Sequence, residues 1–277
     1  MTVTDPKTDN ADDLRKIVHG AGLLAGAANV IMQLARPGVG YGVVESRVES
    51  GRLFDHPIKR TRTTLSYLAV AMLGDESDQA AYRAAVAVAH RQVYSTPASP
   101  VKYSAMDPRL QLWVAACLYR GFEDVYAALG GTLTPDEAAE IYRRSHALGT
   151  TLEVKESMWP PDRAAFQRYW DDEMAKVHID DTVREHLLDV VRATWLPRPL
   201  SAAFTSLNLF VTTGFLPPEF REQMHLPWDE RRQRRFERMM RTVGALSRRQ
   251  PAALREFPFN YLLWDVRRRI KHGRPLI

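Results

Sequence analysis

Apolar residues recur along this chain at intervals of three and four almost from end to end, the spacing of an α-helix that buries one face. Between Asp78 and Tyr94 the positions Tyr82, Val86, Ala89, His90 and Val93 share one helical face. After Asp107-Pro108, the residues Leu110, Trp113, Val114, Cys117 and Leu118 share another. The same spacing predicts helices over approximately 12–35, 57–73, 77–94, 160–176, 181–195, 199–213, 228–248 and 258–270. Start signals support the pattern. Thr134-Pro135-Asp136-Glu137 is a capping box, with the Thr134 hydroxyl able to accept from the Glu137 amide and Glu137 able to reach back. Asp107-Pro108 starts a helix by the same logic. Prolines fall in the gaps between the apolar stretches. Sustained period-two alternation and Asn-Gly or Asp-Gly turns are absent, so strands are not expected. The expected fold is all-α, one helical domain over residues 11–277 preceded by a polar, frayed segment over 1–10. Ser95 to Met106, a loop of about a dozen residues, has the length at which loops inside compact domains often carry function.

Composition narrows the picture. The chain has 277 residues, 45% of them hydrophobic and 26% charged, enough for a substantial core. No apolar run reaches the roughly 18 residues of a membrane-spanning helix. The stretch Ala21 to Leu34 is interrupted by Asn29 and Gln33 and follows Asp9, Asp12 and Asp13, unlike a secretory leader. A cytoplasmic location is therefore expected. Cys117 is the only cysteine, so neither an intramolecular disulfide nor thioether-linked haem is possible. The two paired Glu-x-x-His motifs that a di-iron centre needs are not present together, and the P-loop, the dinucleotide fingerprint and the nucleophile elbow are missing. The net charge is +5, with basic residues concentrated at Arg231–Arg241 and Arg267–Lys271. Apolar residues at helical spacing within the first cluster make it the solvated side of an amphipathic helix, and no nucleic-acid partner is expected.

Two features carry candidate chemistry. His90 lies on an apolar helix face, where it is either a hydrogen-bonded core histidine or a neutral imidazole available to a metal. On the preceding helix Arg60, Thr63, Thr64 and Tyr67 stand at i, i+3, i+4 and i+7 and form a polar stripe. Such a stripe is either a solvated face, with threonines bonding back to their own helix, or the wall of a pocket. Trp159 with Phe166, Tyr169 and Trp170 forms an aromatic patch, which is more simply core than a substrate entrance.

The chain reads His56-Pro57…Arg60-x-x-x-Thr64…Gly74, then His90-x-x-Val93, then Tyr103-x-Ala105-x-Asp107-Pro108-x-Leu110-x-x-Trp113-Val114. This ordered set resembles the catalytic domain shared by latex-clearing rubber oxygenases and MpaB-type oxygenases. The resemblance covers residues 34–118 most strongly. It implies a globin-like helical core holding haem b, with His90 as the iron ligand and Arg60 and Thr64 approaching the distal side. Tyr67 and Trp113 would then line the cofactor. It also implies an oxidoreductase that turns dioxygen or peroxide on a small hydrophobic or natural-product-like substrate. A haem-binding sensor with little turnover, or a helical interaction protein without haem, are the alternatives, and a homo-oligomer is compatible with each. Two positions depart from the rubber oxygenases. Thr63 stands where they carry a lysine able to cap the iron, which implies water or an open site there. Their glutamate base corresponds loosely to Glu45, for which a structural role is an equal reading. With no export signal in view, polymeric rubber is not the expected substrate.

Overall fold

The structure, a computed structural model, describes residues 14–46, 56–193 and 198–277. The expected frayed segment 1–10 lies outside them. The all-α class holds: helices make up 71% of the structure, with no strand among the described residues and a single isolated bridge between Tyr94 and Ser104.

The first helical stretch is broken where one continuous helix over 12–35 is expected. A 3-10 segment, Gly20–Ala25, precedes α1, Gly26–Leu34. At Gly20 a Cβ would stand 1.9 Å from the Phe257 carbonyl oxygen, so only glycine lets the two backbones approach this closely. Pro37 opens α2, Pro37–Val44. Pro57 opens α3, Pro57–Leu73, and α4 follows as Glu76–His90. Asp75 caps α4 in a capping box with Asp78, accepting from the Ser77 and Asp78 amides.

Helix α4 stops at His90 rather than running to Tyr94. Beyond it the backbone pairs across the loop: the Ala105 amide donates to the Val93 carbonyl at 2.9 Å and the Ser95 amide to the Tyr103 carbonyl at 2.9 Å. The long loop therefore closes on itself and fixes where His90 ends its helix.

Helix α5, Pro108–Ala128, is capped by Asp107 and buries Leu112, Trp113, Cys117, Leu118, Tyr119, Phe122 and Val125. It packs against α1 and against the short α7, Ala147–Thr150, which follows α6, Pro135–Arg144. The capping box at Thr134 and Glu137 forms as expected. The chain continues through α8, Arg163–Met174, α9, Asp181–Arg192, and α10, Arg198–Phe215. Next come α11, Pro218–Gln223, α12, Glu230–Arg248, α13, Ala252–Arg255, and α14, Phe259–Lys271.

One continuous apolar cluster runs through these helices from Leu14 to Val266. Trp159, Phe166 and Trp170 are buried in it with Tyr119 and Tyr142, so the aromatic patch is core and not an entrance. Nothing in the packing order singles out a globin-like arrangement. The basic helix α12 buries Phe236 and Met240 and turns its arginines outward, where Arg234 pairs with Glu230 at 3.1 Å. Exposed pairs of this kind contribute only tenths of a kcal/mol. Among the described residues, no helix is long and apolar enough to cross a membrane.

Candidate functional site

Helix α3 carries the polar stripe and is fixed on three sides. Its end nearest the core is held by Tyr67, which is buried and whose hydroxyl donates to the Leu148 carbonyl of α7. Burial raises the Tyr67 phenol far above its usual range, so it stays protonated as that donor. On another side the Tyr82 hydroxyl of α4 donates to the Thr63 carbonyl at 2.7 Å. On a third, α14 packs against α3, and its Arg267 pairs with Asp78 at 2.8 Å.

Along the stripe exposure changes sharply. Tyr67 is buried, Thr64 is open to solvent and Arg60, one turn earlier, is half-buried. Thr63 bonds back to the Lys59 carbonyl at 2.9 Å, so its hydroxyl is spent within its own helix. Arg60 is different. Its guanidinium makes no ion pair or side-chain hydrogen bond with any described residue, and burial pushes its pKa down.

His90 faces the same region from the end of α4. Burial first, and then the positive charge of Arg60, lower its pKa from 6.5 to about 4. At neutral pH the ring is an uncharged imidazole with a free lone pair. The neighbour of its Nδ1 is Gln111, near the start of α5, whose Nε2 lies 3.5 Å away. Gln111 is buried and held by two backbone groups: Nε2 donates to the Ala105 carbonyl at 2.5 Å and Oε1 accepts from the Glu153 amide at 2.7 Å. Its orientation is thereby determined, and the group turned toward His90 is an N–H.

The structure thus brings Arg60 and His90 within electrostatic reach of each other, with Thr64 beside Arg60 on the same helix. Trp113 is fully buried, stacks on Trp170 at 5.1 Å between ring centres and donates from its indole nitrogen to the Gln33 carbonyl at 3.1 Å. Two residues beyond Gln111, it leaves α5 on another side.

Glu45, at the end of α2, is tied into the closed loop. Its Oε2 accepts from the Ser99 hydroxyl at 2.6 Å and the Tyr103 hydroxyl at 2.7 Å. With Gln92, Val93, Tyr94 and Thr96 it lines a cavity of about 240 Å³ directly past His90 in the chain. Gln111 and Ser99 escaped the sequence reading. A glutamine among the apolar positions of α5 was the available signal for the first; nothing marked the second.

Among the described residues, no three His, Cys, Asp or Glu side chains gather as a metal site. A porphyrin supplies four nitrogen donors itself and needs one side chain from the protein. The family model for the catalytic domain of the ER-bound oxygenase mpaB/B′ and rubber oxygenase matches residues 14–245. The chain belongs to this oxygenase family. Two uncharacterised mycobacterial proteins, from Mycobacterium tuberculosis and Mycobacterium bovis, are each 53% identical to it over 255 residues, covering 92% of this chain and all of each relative. No solved structure matches. The mpaB/rubber oxygenase match includes Arg60, Thr64, Tyr67, His90 and Trp113 and stops short of α13 and α14. Helix α14, which braces α3, lies outside the matched residues.

Proposed function

We propose that the protein is a haem-b-dependent oxygenase in which His90 ligates the iron and Arg60 faces an anionic group of the cofactor. One observation carries the reading: a neutral imidazole and a desolvated guanidinium with no ion pair among the described residues face one region from neighbouring helices. The donor set fits haem b, which needs a neutral nitrogen ligand and carries two propionates. The noncovalent cofactor also agrees with a chain whose only cysteine, Cys117, is buried.

Bound haem supplies the redox chemistry, activating dioxygen or peroxide. The chain's own residues do the rest. His90 offers its lone pair without first losing a proton, since its pKa lies well below neutral. The Gln111 N–H beside Nδ1 would help to orient the ring that holds the group. Arg60 pairs with a propionate. Thr64, exposed beside it, orients water or a polar substrate atom. Tyr67 fixes the helix that bears both through its bond to Leu148. Trp113 braces α5 through its stack on Trp170 and its bond to the Gln33 carbonyl. The substrate class that suits the family and the apolar surroundings is a small hydrophobic organic molecule.

The test is a visible spectrum of the full chain purified and reconstituted with haem. The wild type should show a Soret band that His90→Ala abolishes or shifts, and Arg60→Ala should weaken haem retention with the band position kept. A wild type without the band, or an unchanged spectrum in His90→Ala, would sink the assignment. Oxygen consumption with candidate substrates then separates an oxygenase from a protein that only carries haem.

A further inference from the structure

A second cavity, of about 220 Å³, lies at the far end of α5. Its walls come from four separate parts of the chain: Lys16 and His19 before the 3-10 segment, Tyr126 and Leu129 at the end of α5, Arg248 at the end of α12, and Arg255 at the end of α13. From Gln111 to this end α5 runs for roughly 25 Å, so the cavity is remote from His90.

Its charges are unbalanced. The nearby carboxylates are already engaged: Glu137 pairs with Lys16 at 2.8 Å and Glu256 with Arg15. Arg248 and Arg255 pair with no carboxylate among the described residues. Arg248 spends one nitrogen on the Leu129 carbonyl at 2.8 Å, leaving the rest of its fork available. One polar atom in the cavity wall, Nε of Arg255, is buried without a hydrogen-bond partner among the described residues. Buried donors are almost always satisfied, so an orphan N–H beside a second arginine that meets no carboxylate points to an anionic partner. Burial first, and then Arg255, lower the His19 pKa against a hydrogen bond to the Lys16 backbone that raises it, and Arg248 adds to the lowering. The floor between these groups, Tyr126 and Leu129, is largely apolar, and the Tyr126 ring stands edge-on to His19 at 6.2 Å between centres.

We infer that this cavity binds a small phosphate-bearing anion. The phosphoryl group is held by Arg248, Arg255 and His19, and a short organic portion rests on Tyr126 and Leu129. Donors arriving from three chain segments suit a tetrahedral oxyanion better than a flat carboxylate, which favours one planar fork. The cavity is below the roughly 300 Å³ of drug-sized pockets, which limits the organic portion to a few carbons. The ligand would join the N-terminal segment, α5, α12 and α13, and so stabilise the fold by mass action.

The experiment is calorimetric titration of the full chain, reconstituted with haem, by inorganic phosphate, glycerol phosphate and acetate at matched ionic strength. Saturable binding of a phosphate species, weakened at least tenfold in Arg255→Met and in Arg248→Met with the visible spectrum unchanged, is the expected result. Tighter binding of glycerol phosphate identifies a phosphomonoester; tighter binding of inorganic phosphate identifies the free ion. Both orders support the site. Arg248 is exposed, so its variant tests the cavity even if Arg255→Met fails to fold. Acetate binding as tightly as phosphate, or unaltered phosphate binding in Arg248→Met, overturns the inference.

Discussion

Acid titration of the haem-free protein reads the burial of His90 directly. An unfolded-state imidazole titrates at 6.5, and in the fold His90 titrates at about 4. Between those values the unfolded chain binds a proton that the native ring refuses, so stability must fall as pH drops from 6.5 toward 4. Above 6.5 the term vanishes. Taken at face value, the shift removes about 2 kcal/mol between pH 7.5 and pH 5, at 1.36 kcal/mol per unit. His90 is only half-buried, and solvent screening brings the expectation to ~1 kcal/mol. Burial also lowers the pKa of His19 and of His186, so their contributions carry the same sign. The measured quantity is therefore a difference: urea unfolding at both pH values for wild type and for His90→Gln. The variant should lose less stability on acidification than the wild type by that amount. Equal losses in the two proteins would refute the claim that His90 is held neutral by its surroundings.

Two other expectations rest on single contacts. Tyr67→Phe removes the donor to the Leu148 carbonyl and leaves that oxygen unpaired in the interior, at a cost of about 1–3 kcal/mol in denaturant unfolding, with the Soret position unchanged. Arg60→Leu should raise the stability of the haem-free protein and lower its haem affinity, whereas Arg221→Leu should lower stability and leave haem affinity alone; paired unfolding and haem-titration curves check both signs.

What the sequence made legible follows from what is local. The box at Thr134 and Glu137 needs only four consecutive residues, and it forms as expected. The stripe on α3 and the inward turn of His90 needed only helical periodicity. Longer-range causes were hidden. The end of α4 at His90 depends on Val93 and Ala105 finding each other across the loop, so the apolar pattern ran past it to Tyr94. The break near Gly20 depends on Phe257, more than 200 positions away in the chain. Trp113 shared a helix face with core residues, and periodicity could not say which neighbour that face meets. The basic cavity was invisible because Lys16, His19, Arg248 and Arg255 form no pattern until the fold assembles them.

Arg221 shows why the missing partner of Arg60 matters. Both guanidiniums lose water, and burial lowers both pKa values. For Arg221 the fold offsets that loss: its nitrogens donate to the Thr213 carbonyl at 2.8 Å and the Gly214 carbonyl at 3.2 Å, and it lies over the Trp228 ring at 5.0 Å. Desolvation of a cation is tolerable when carbonyl dipoles and an aromatic face replace the water. Arg60 has no such replacement among the described residues, and its charge adds to the burial that keeps the His90 imidazole neutral. A desolvated cation that meets no carboxylate, carbonyl or ring among the described residues is an unfavourable charge that a bound anion would relieve. The opposite signs expected for Arg60→Leu and Arg221→Leu follow from that difference.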